Sequence, residues 1–140
     1  MKKQTAIQKI AWFYAALFLF VVVLGYVPGV EDEQGLMFGL FKIDMIDDAL
    51  HLASAVWAGL SAWNSARASK FYFRAFGALY ALDGIVGILV GAGFLDFGIL
   101  GSDRIVDMGI RVAANIPHIV FGGLALIIGF VLSDRLQAKK

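Results

Sequence analysis

Four long apolar stretches, separated by clusters of charged residues, constrain this chain more than any other feature of its sequence. They run over about residues 10–28, 45–66, 71–93 and 109–132. An α-helix needs about 20 residues to cross the roughly 30 Å hydrocarbon core of a membrane. The sequence therefore predicts an all-α fold, a four-helix transmembrane bundle formed by a single integral membrane domain over residues 1–140.

The composition favours the same class of protein. Apolar residues make up 60% of the chain and charged residues 16%, which is more apolar than an ordinary soluble domain. The net charge of +1 gives no general attraction to nucleic acid, and we expect the lipid bilayer to be the main partner. The chain contains no cysteine, which excludes disulfides, thiolate metal sites and thiol catalysis.

A cleaved signal peptide is the competing interpretation of the first apolar stretch. Basic residues precede it, as they do in signal peptides. However, the uncharged run over residues 10–27 is longer than the usual core of about 7–15 residues, and no small-x-small cleavage site comes before Glu31. We therefore expect the stretch to be retained as the first span.

The basic residues are sorted along the chain. Nine of the twelve lysines and arginines precede the first stretch, separate the second from the third, or follow the fourth. Only Lys42, Arg104 and Arg111 fall in or beside the other two loops. Because short cytoplasmic loops carry the excess of Lys and Arg, the sequence predicts a multi-pass protein with both termini in the cytoplasm.

Two short alignments suggest that the chain consists of two similar helical hairpins. They superimpose these pairs of residues: Tyr14 and Tyr80, Gly25 and Gly91, Asp48 and Asn115, His51 and His118, Ala55 and Gly122. Both hairpins would enter the membrane from the same side. We therefore predict parallel repeats related by an axis along the membrane normal.

The histidine-containing elements also carry a resemblance. The last stretch opens with Asn-x-x-His-x-x-x-Gly (Asn115, His118, Gly122), and the second has a degenerate copy (Asp48, His51, Ala55). From about Tyr14 to Leu132 the chain resembles the small four-span bacterial membrane proteins of the domain of unknown function 4383 family. Asp in the first copy and a longer charged stretch before Asn115 depart from the pattern. The resemblance implies this fold in the bacterial cytoplasmic (inner) membrane, and no established activity.

Helical spacing places both histidines on stripes of small residues, which allow helices to approach closely. Asp83 lies near the middle of the third stretch and needs a partner, because an unpaired carboxylate there costs about 2.5 kcal/mol or more. We expect a buried polar cluster of His51, Asp83, Asn115 and His118 as the candidate functional site. Pro117 should kink its helix, since it cannot donate to the Ala113 carbonyl. The predicted helix-packing positions are Ala55, Gly59, Gly87, Gly91, Gly122 and Gly129.

Three functions remain open. The first is a structural or accessory role, as a homo-oligomer or a subunit of a larger membrane complex, in which the polar cluster fixes helix register. The second is proton, ion or small-molecule transport through Asp83 and His118, because titratable groups in membranes mark such pathways. The third is a haem held by His51 and His118 as paired axial ligands. We expect no enzyme, no catalytic residue and no metal site, since no hydrolase, zinc, phosphate-loop or dinucleotide motif occurs.

Overall fold

The computed structural model of the chain is a bundle of helices, and it describes residues 3–33, 36–39, 41, 45–102 and 104–139. The four main helices are α1 (Ala6–Leu24), α2 (Met45–Asn64), α3 (Ala66–Val90) and α4 (Met108–Leu126). The last continues through a π-helical segment, Ile127–Leu132, into the short helix α5 (Ser133–Ala138). A helical bundle was predicted, and the structure confirms it.

Among the residues that the structure describes, three helical segments are long and apolar enough to cross a membrane. They are Ala6–Leu24, Ala66–Val90 and Met108–Ala138. The 20-residue helix α2 is not among them, because it carries Asp47 and Asp48 in its first turn and is rich in small and polar residues. Length and composition therefore support three of the four predicted spans, and the span over α2 stays a prediction.

The helix ends differ from those predicted. α1 begins at Ala6, where the Gln8 side chain accepts a hydrogen bond from Thr5 N at 3.1 Å. Ser65 is the single residue between α2 and α3. Its hydroxyl accepts a hydrogen bond from Ala68 N at 3.1 Å and caps the start of α3. The basic residues Arg67 and Lys70, which lie between the second and third apolar stretches of the sequence, therefore belong to α3 itself, as does Arg74.

Aromatic side chains fill the core between α1 and α3. Along α3, Phe76 stacks on Tyr72 on one side and on Tyr80 on the other, with ring centroids 5.1 and 4.2 Å apart. Tyr14 and Phe18 of α1 meet this column edge-on. The spacing of four residues brings the three rings onto one face of α3, so this face forms the buried core.

Small residues let α3 and α4 approach closely. Hypothetical Cβ atoms on Gly87, Gly122 and Gly129 would lie 3.0 Å or less from atoms of the opposite helix. Two glycines of α3 that we did not predict at packing positions are equally constrained: a Cβ on Gly77 would lie 2.7 Å from Leu126 N, and one on Gly84 would lie 2.8 Å from an Ile119 carbon. The spacing of 77, 84 and 87 along α3 is the signal that would have identified them.

The other three predicted packing positions have different surroundings. Ala55 is buried in the core, where α2 packs on its neighbours. A Cβ on Gly59 would lie 3.4 Å from the Trp12 ring, an ordinary contact distance, so this glycine allows no unusual approach. Gly91 ends α3 in the left-handed conformation, with φ of 84°, and a Cβ there would lie 2.6 Å from Ile105 O of the loop and 2.9 Å from Arg111 Nε of α4.

The π-helical segment lies opposite the basic part of α3. Arg74 Nε donates to Gly129 O at 2.8 Å, and its guanidinium lies 4.6 Å from the centre of the Phe130 ring. A wider turn leaves carbonyl oxygens available to such side chains. One turn further on, Lys70 forms an ion pair with Asp134 at 2.7 Å.

Apolar side chains also cover the outside of the bundle. Those of α2 are Leu52, Val56, Leu60 and Trp63, all between 46% and 73% exposed. Comparable rows run along α1, α3 and α4: Phe13, Leu19, Phe20, Val23, Leu79, Leu82, Ile85, Leu89, Ile116, Val120, Leu124 and Ile127. Soluble monomers rarely expose continuous apolar patches of this extent, so the surface suits contact with lipid.

Candidate functional site

Asp83 is the centre of the candidate site, and all of its contacts run to other parts of the chain. It lies seven residues, or about 10 Å, before the last residue of α3 and is only 2% exposed. One carboxylate oxygen, Oδ1, accepts from Phe94 N at 2.7 Å and Leu95 N at 2.9 Å. The other, Oδ2, lies 2.8 Å from His118 Nδ1. The carboxylate therefore joins α3, α4 and the α3–α4 loop.

The α3–α4 loop, residues 91–107, folds back into the end of the bundle to reach Asp83. Gly91 and Ile105 close its base, with Ile105 N donating to Gly91 O at 2.9 Å. Within it, Arg104 donates to Gly98 O and Ile99 O, both at 2.7 Å. Gly93 lies directly beside the carboxylate, and a Cβ there would approach Asp83 Oδ1 to 2.9 Å. The hydrogen bonds that hold the loop thus use its backbone atoms, which no side-chain pattern in the sequence identifies.

His118 projects from α4 toward the same point. Its ring lies 5.1 Å from that of Tyr80, and its side chain is 25% exposed. A carboxylate only accepts hydrogen bonds, so with Asp83 ionised the proton of His118 lies on Nδ1. Nε2 is then the ring nitrogen left for another group. The predicted contact between Asp83 and His118 is present in the structure.

Asn115, which we expected in the cluster, forms no hydrogen bond with this pair in the part of the chain that the structure describes, and neither does the neighbouring Tyr80. Asn115 Nδ2 donates to Arg111 O, one turn earlier in its own helix, at 2.9 Å. Its side chain fills the space beside Gly87, which holds the amide away from Asp83. The Tyr80 hydroxyl instead lies 3.2 Å from the Ser54 hydroxyl of α2. The predicted cluster is therefore a pair with neighbours rather than one network.

His51 differs most from its expected role. Its ring stacks on Phe18 of α1, with centroids 5.9 Å apart and an angle of 20° between the planes. The Nδ1 atom is buried and has no hydrogen-bond partner among the residues that the structure describes. In the described residues, His118 thus has a carboxylate partner, Asp83, and His51 has none.

A cavity of about 690 Å³ brings these residues to one space. His51, Asp83, Asn115 and His118 all line it, together with the rings of Phe18, Tyr80 and Phe121. Leu17 and Val21 form its α1 wall, and Ala114 and Pro117 form its α4 wall. A mostly apolar cavity with a few convergent polar groups is the usual form of a small-molecule site.

Two further expectations concern the α4 wall and metals. α4 continues through Pro117 without ending, and Pro117 lies at the cavity surface, where the proline cannot donate to the helix. Over the described part of the chain, no group of three or more His, Asp or Glu side chains is arranged to hold a metal ion.

Comparison with known proteins gives a family and no activity. No curated protein and no solved structure is significantly similar to the chain. The model of the domain of unknown function 4383 matches residues 8–131, which includes all four main helices except the first two residues of α1. The resemblance carried by Asn115, His118 and Gly122 is confirmed by this match. The chain therefore belongs to the domain of unknown function 4383 family.

Proposed function

We propose that this protein is an accessory protein of the bacterial cytoplasmic membrane, with four spans and both termini in the cytoplasm, and that it is not an enzyme. In this role it presents a fixed extracytoplasmic loop to a second copy of itself or to a larger membrane complex. The carrying observation is the triple hydrogen bonding of Asp83, which ties the α3–α4 loop to two helices.

The exposed surface of α2 supports a fourth span. Its outer face carries a row of large apolar side chains, Leu52, Val56, Leu60 and Trp63, while its small residues face the core. In water this row would be costly, whereas lipid is its natural surrounding. At 20 residues the helix is about 30 Å long, enough for the hydrocarbon core.

The clustering of basic residues supports the orientation. Ala6 N donates to Lys139 O at 2.8 Å, and Gln8 donates to Ala62 O at the same distance, so both termini lie beside the end of α2. This end also carries Arg67 and Lys70. The sorting of charges predicts that it faces the cytoplasm. Lys2 and Lys140, two of the nine basic residues on this side, and Lys42, one of the three on the other side, lie outside the described residues.

Single-cysteine labelling tests the number of spans directly, because the native chain has no cysteine. We expect Glu33→Cys and Ser102→Cys to react with a membrane-impermeant maleimide on spheroplasts. Asn64→Cys and Lys139→Cys should react only after permeabilisation. Labelling of Asn64→Cys from outside would contradict both the α2 span and the proposed topology.

Co-purification tests the accessory role. A tagged chain extracted from native membranes in a mild detergent should elute as a complex of defined stoichiometry, either with itself or with another membrane protein. Asp83→Ala should lose this complex while remaining in the membrane, because the loop is released. Asp134→Ala, an acid at the opposite end of the bundle, is the matched control and should keep it. A native chain that elutes only as a monomer would refute the role.

Transport is the second candidate, favoured by the direct contact of Asp83 with His118 inside the bundle. Its weakness is that Asp83 Oδ1 is already occupied by two backbone donors, whereas a relay group must exchange partners. Proton flux into liposomes containing the native chain or Asp83→Asn separates the two functions. Equal flux in both would end the relay hypothesis.

Haem binding is the third candidate, favoured by the presence of His51 and His118 around one cavity. A histidine that binds iron normally has its other nitrogen fixed by a hydrogen bond, as His118 has and His51 lacks. The visible absorption spectrum of protein expressed with haem supply decides the question. The accessory role predicts that no haem band appears.

A further inference from the structure

The cavity lies where α1 and α4 move apart. About halfway along α1 the two helices are joined, because Tyr14 donates to Phe121 O at 3.0 Å. Beyond this hydrogen bond, Leu17 and Val21 of α1 and Ala114 of α4 line the cavity instead of packing on each other. The space therefore lies between two helices whose outer surfaces suit lipid, beneath the loop held by Asp83.

Two imidazoles are available to an occupant of this space. His118 uses Nδ1 for Asp83 and retains Nε2, and His51 has a buried Nδ1 with no partner in the described part of the chain. A neutral His118 whose Nδ1 donates to a carboxylate presents a lone pair on Nε2. That nitrogen is suited to accept a hydrogen bond from a ligand hydroxyl.

The rest of the wall is suited to a flat ring. The rings of Phe18, Tyr80 and Phe121 all reach the cavity, and Tyr80 also contacts His118. Aromatic side chains pack well on planar ligands by stacked or edge-on contact. The apolar side chains of Leu17 and Val21 continue the wall along α1. The cavity thus combines hydrogen-bonding groups, ring surfaces and an aliphatic path.

We propose that this cavity binds the head group of a lipid-soluble quinol, which goes beyond the accessory role. One ring hydroxyl donates to His118 Nε2, and the hydroxyl on the far side of the ring reaches His51 Nδ1 once the His51 ring turns to bring this buried atom to the cavity surface. The ring packs among Phe18, Tyr80 and Phe121, and the isoprenoid tail leaves between α1 and α4 into the lipid. The site binds the quinol, and no electron transfer is assigned to it.

Calorimetric titration of the full chain in lipid nanodiscs with decylubiquinol tests the proposal. We expect saturable binding at one site. Ala114→Trp fills the cavity from the α4 wall, and His118→Phe removes the acceptor while keeping a ring; each should weaken binding about tenfold or more, the effect of losing about 1.4 kcal/mol. Val120→Trp, on the lipid-facing side of the same helix and 46% exposed, is the matched control and should bind normally.

Two further probes distinguish recognition of the ring from uptake of an oily chain. Farnesol, an isoprenoid alcohol without a ring, should bind at least about tenfold more weakly than decylubiquinol, because it can make only one of the hydrogen bonds. Oxidised decylubiquinone should also bind more weakly, since the Nε2 of a His118 whose proton lies on Nδ1 can accept a hydrogen bond but cannot donate one to the quinone carbonyl.

The proposal is overturned by any of three results in variants that keep native helicity and melting temperature. These are equal affinity for farnesol, equal affinity for the oxidised quinone, and unchanged quinol affinity in both Ala114→Trp and His118→Phe. Loss of the co-purified complex in Asp83→Ala tests the accessory role separately, so the two proposals can fail independently.

Discussion

Asn115 occupies the space that a side chain at Gly87 would need: a Cβ on Gly87 would lie 2.0 Å from Asn115 Oδ1. The amide cannot simply turn away, because its Nδ2 donates to Arg111 O at 2.9 Å. One glycine and one asparagine therefore fit together as a pair, and they set the distance between α3 and α4 just beyond Asp83 and His118.

Gly87→Ala should destabilise the protein by about 1–3 kcal/mol, since the added methyl group overlaps the Asn115 amide. The double variant Gly87→Ala with Asn115→Ala should recover most of this loss, because the second change removes the overlapping atoms. Thermal unfolding in detergent, followed by circular dichroism, measures both. Additive losses in the double variant would show that the two side chains do not compete for one space.

Gly122 and Gly123 form a matched pair of adjacent positions. A Cβ on Gly122 would lie 2.4 Å from the Ala81 backbone nitrogen, whereas one on Gly123 would meet nothing within 4 Å. Gly122→Ala should cost about 3 kcal/mol or prevent folding, because a backbone atom of a packed helix cannot yield as a side chain can. Gly123→Ala should be neutral or gain up to about 1 kcal/mol from helix propensity. Equal melting temperatures for the two would contradict the close approach.

Tyr72 has a fully buried hydroxyl that forms no hydrogen bond with the part of the chain described. Leaving such a group unpaired costs about 1–3 kcal/mol. Tyr72→Phe should therefore be neutral or stabilising, with a melting temperature equal to the native value or above it. Tyr80→Phe is the control, because it removes the contact with Ser54 and should lower the melting temperature.

Tyr26, in the turn after α1, donates from its hydroxyl to Asp48 Oδ2 at 2.9 Å. This hydrogen bond and the negative charge of Asp48 raise the pKa of Tyr26 above its usual 10.0. A group with a raised pKa in the folded state stabilises fully below its unfolded pKa and loses that effect as the pH rises through the folded value. Alkaline destabilisation should therefore be smaller in Tyr26→Phe. Absorbance titration of native minus variant protein should give a midpoint above 10; a midpoint at or below it would contradict the contact.

The contact between Asp83 and His118 could be predicted from the sequence because a carboxylate within a membrane helix requires a partner, and the chain has only two histidines. The other half of the site could not. Phe94 and Leu95 contribute through their backbone N–H groups, which every residue except proline possesses, so no side-chain pattern identifies them. Only the folded path of the loop brings them to the carboxylate.

Similar physical reasons explain the other differences. His51 was expected beside Asp83 because both are polar, but stacking on Phe18 takes up its ring. α1 begins at Ala6 and α3 at Ala66, before the apolar stretches that start at residues 10 and 71, because charged residues such as Arg67 and Lys70 belong to the helices. Such side chains can lie on a helix end and extend to the membrane surface, so charge alone does not end a helix.

The π-helical segment at Ile127–Leu132 has a consequence for the whole last helix. Each residue of an α-helix advances by about 100°, and a π turn adds about one residue to the turn, so the faces before and after it are rotated relative to each other. The part before it can thus direct Gly122 and Ala125 at α3, while the part after it independently directs Asp134 at Lys70. A single continuous α-helical periodicity would not satisfy both contacts. Deleting one residue of the segment would restore that periodicity. The helix would then lose either the contact of Gly122 and Ala125 with α3 or the ion pair of Asp134 with Lys70.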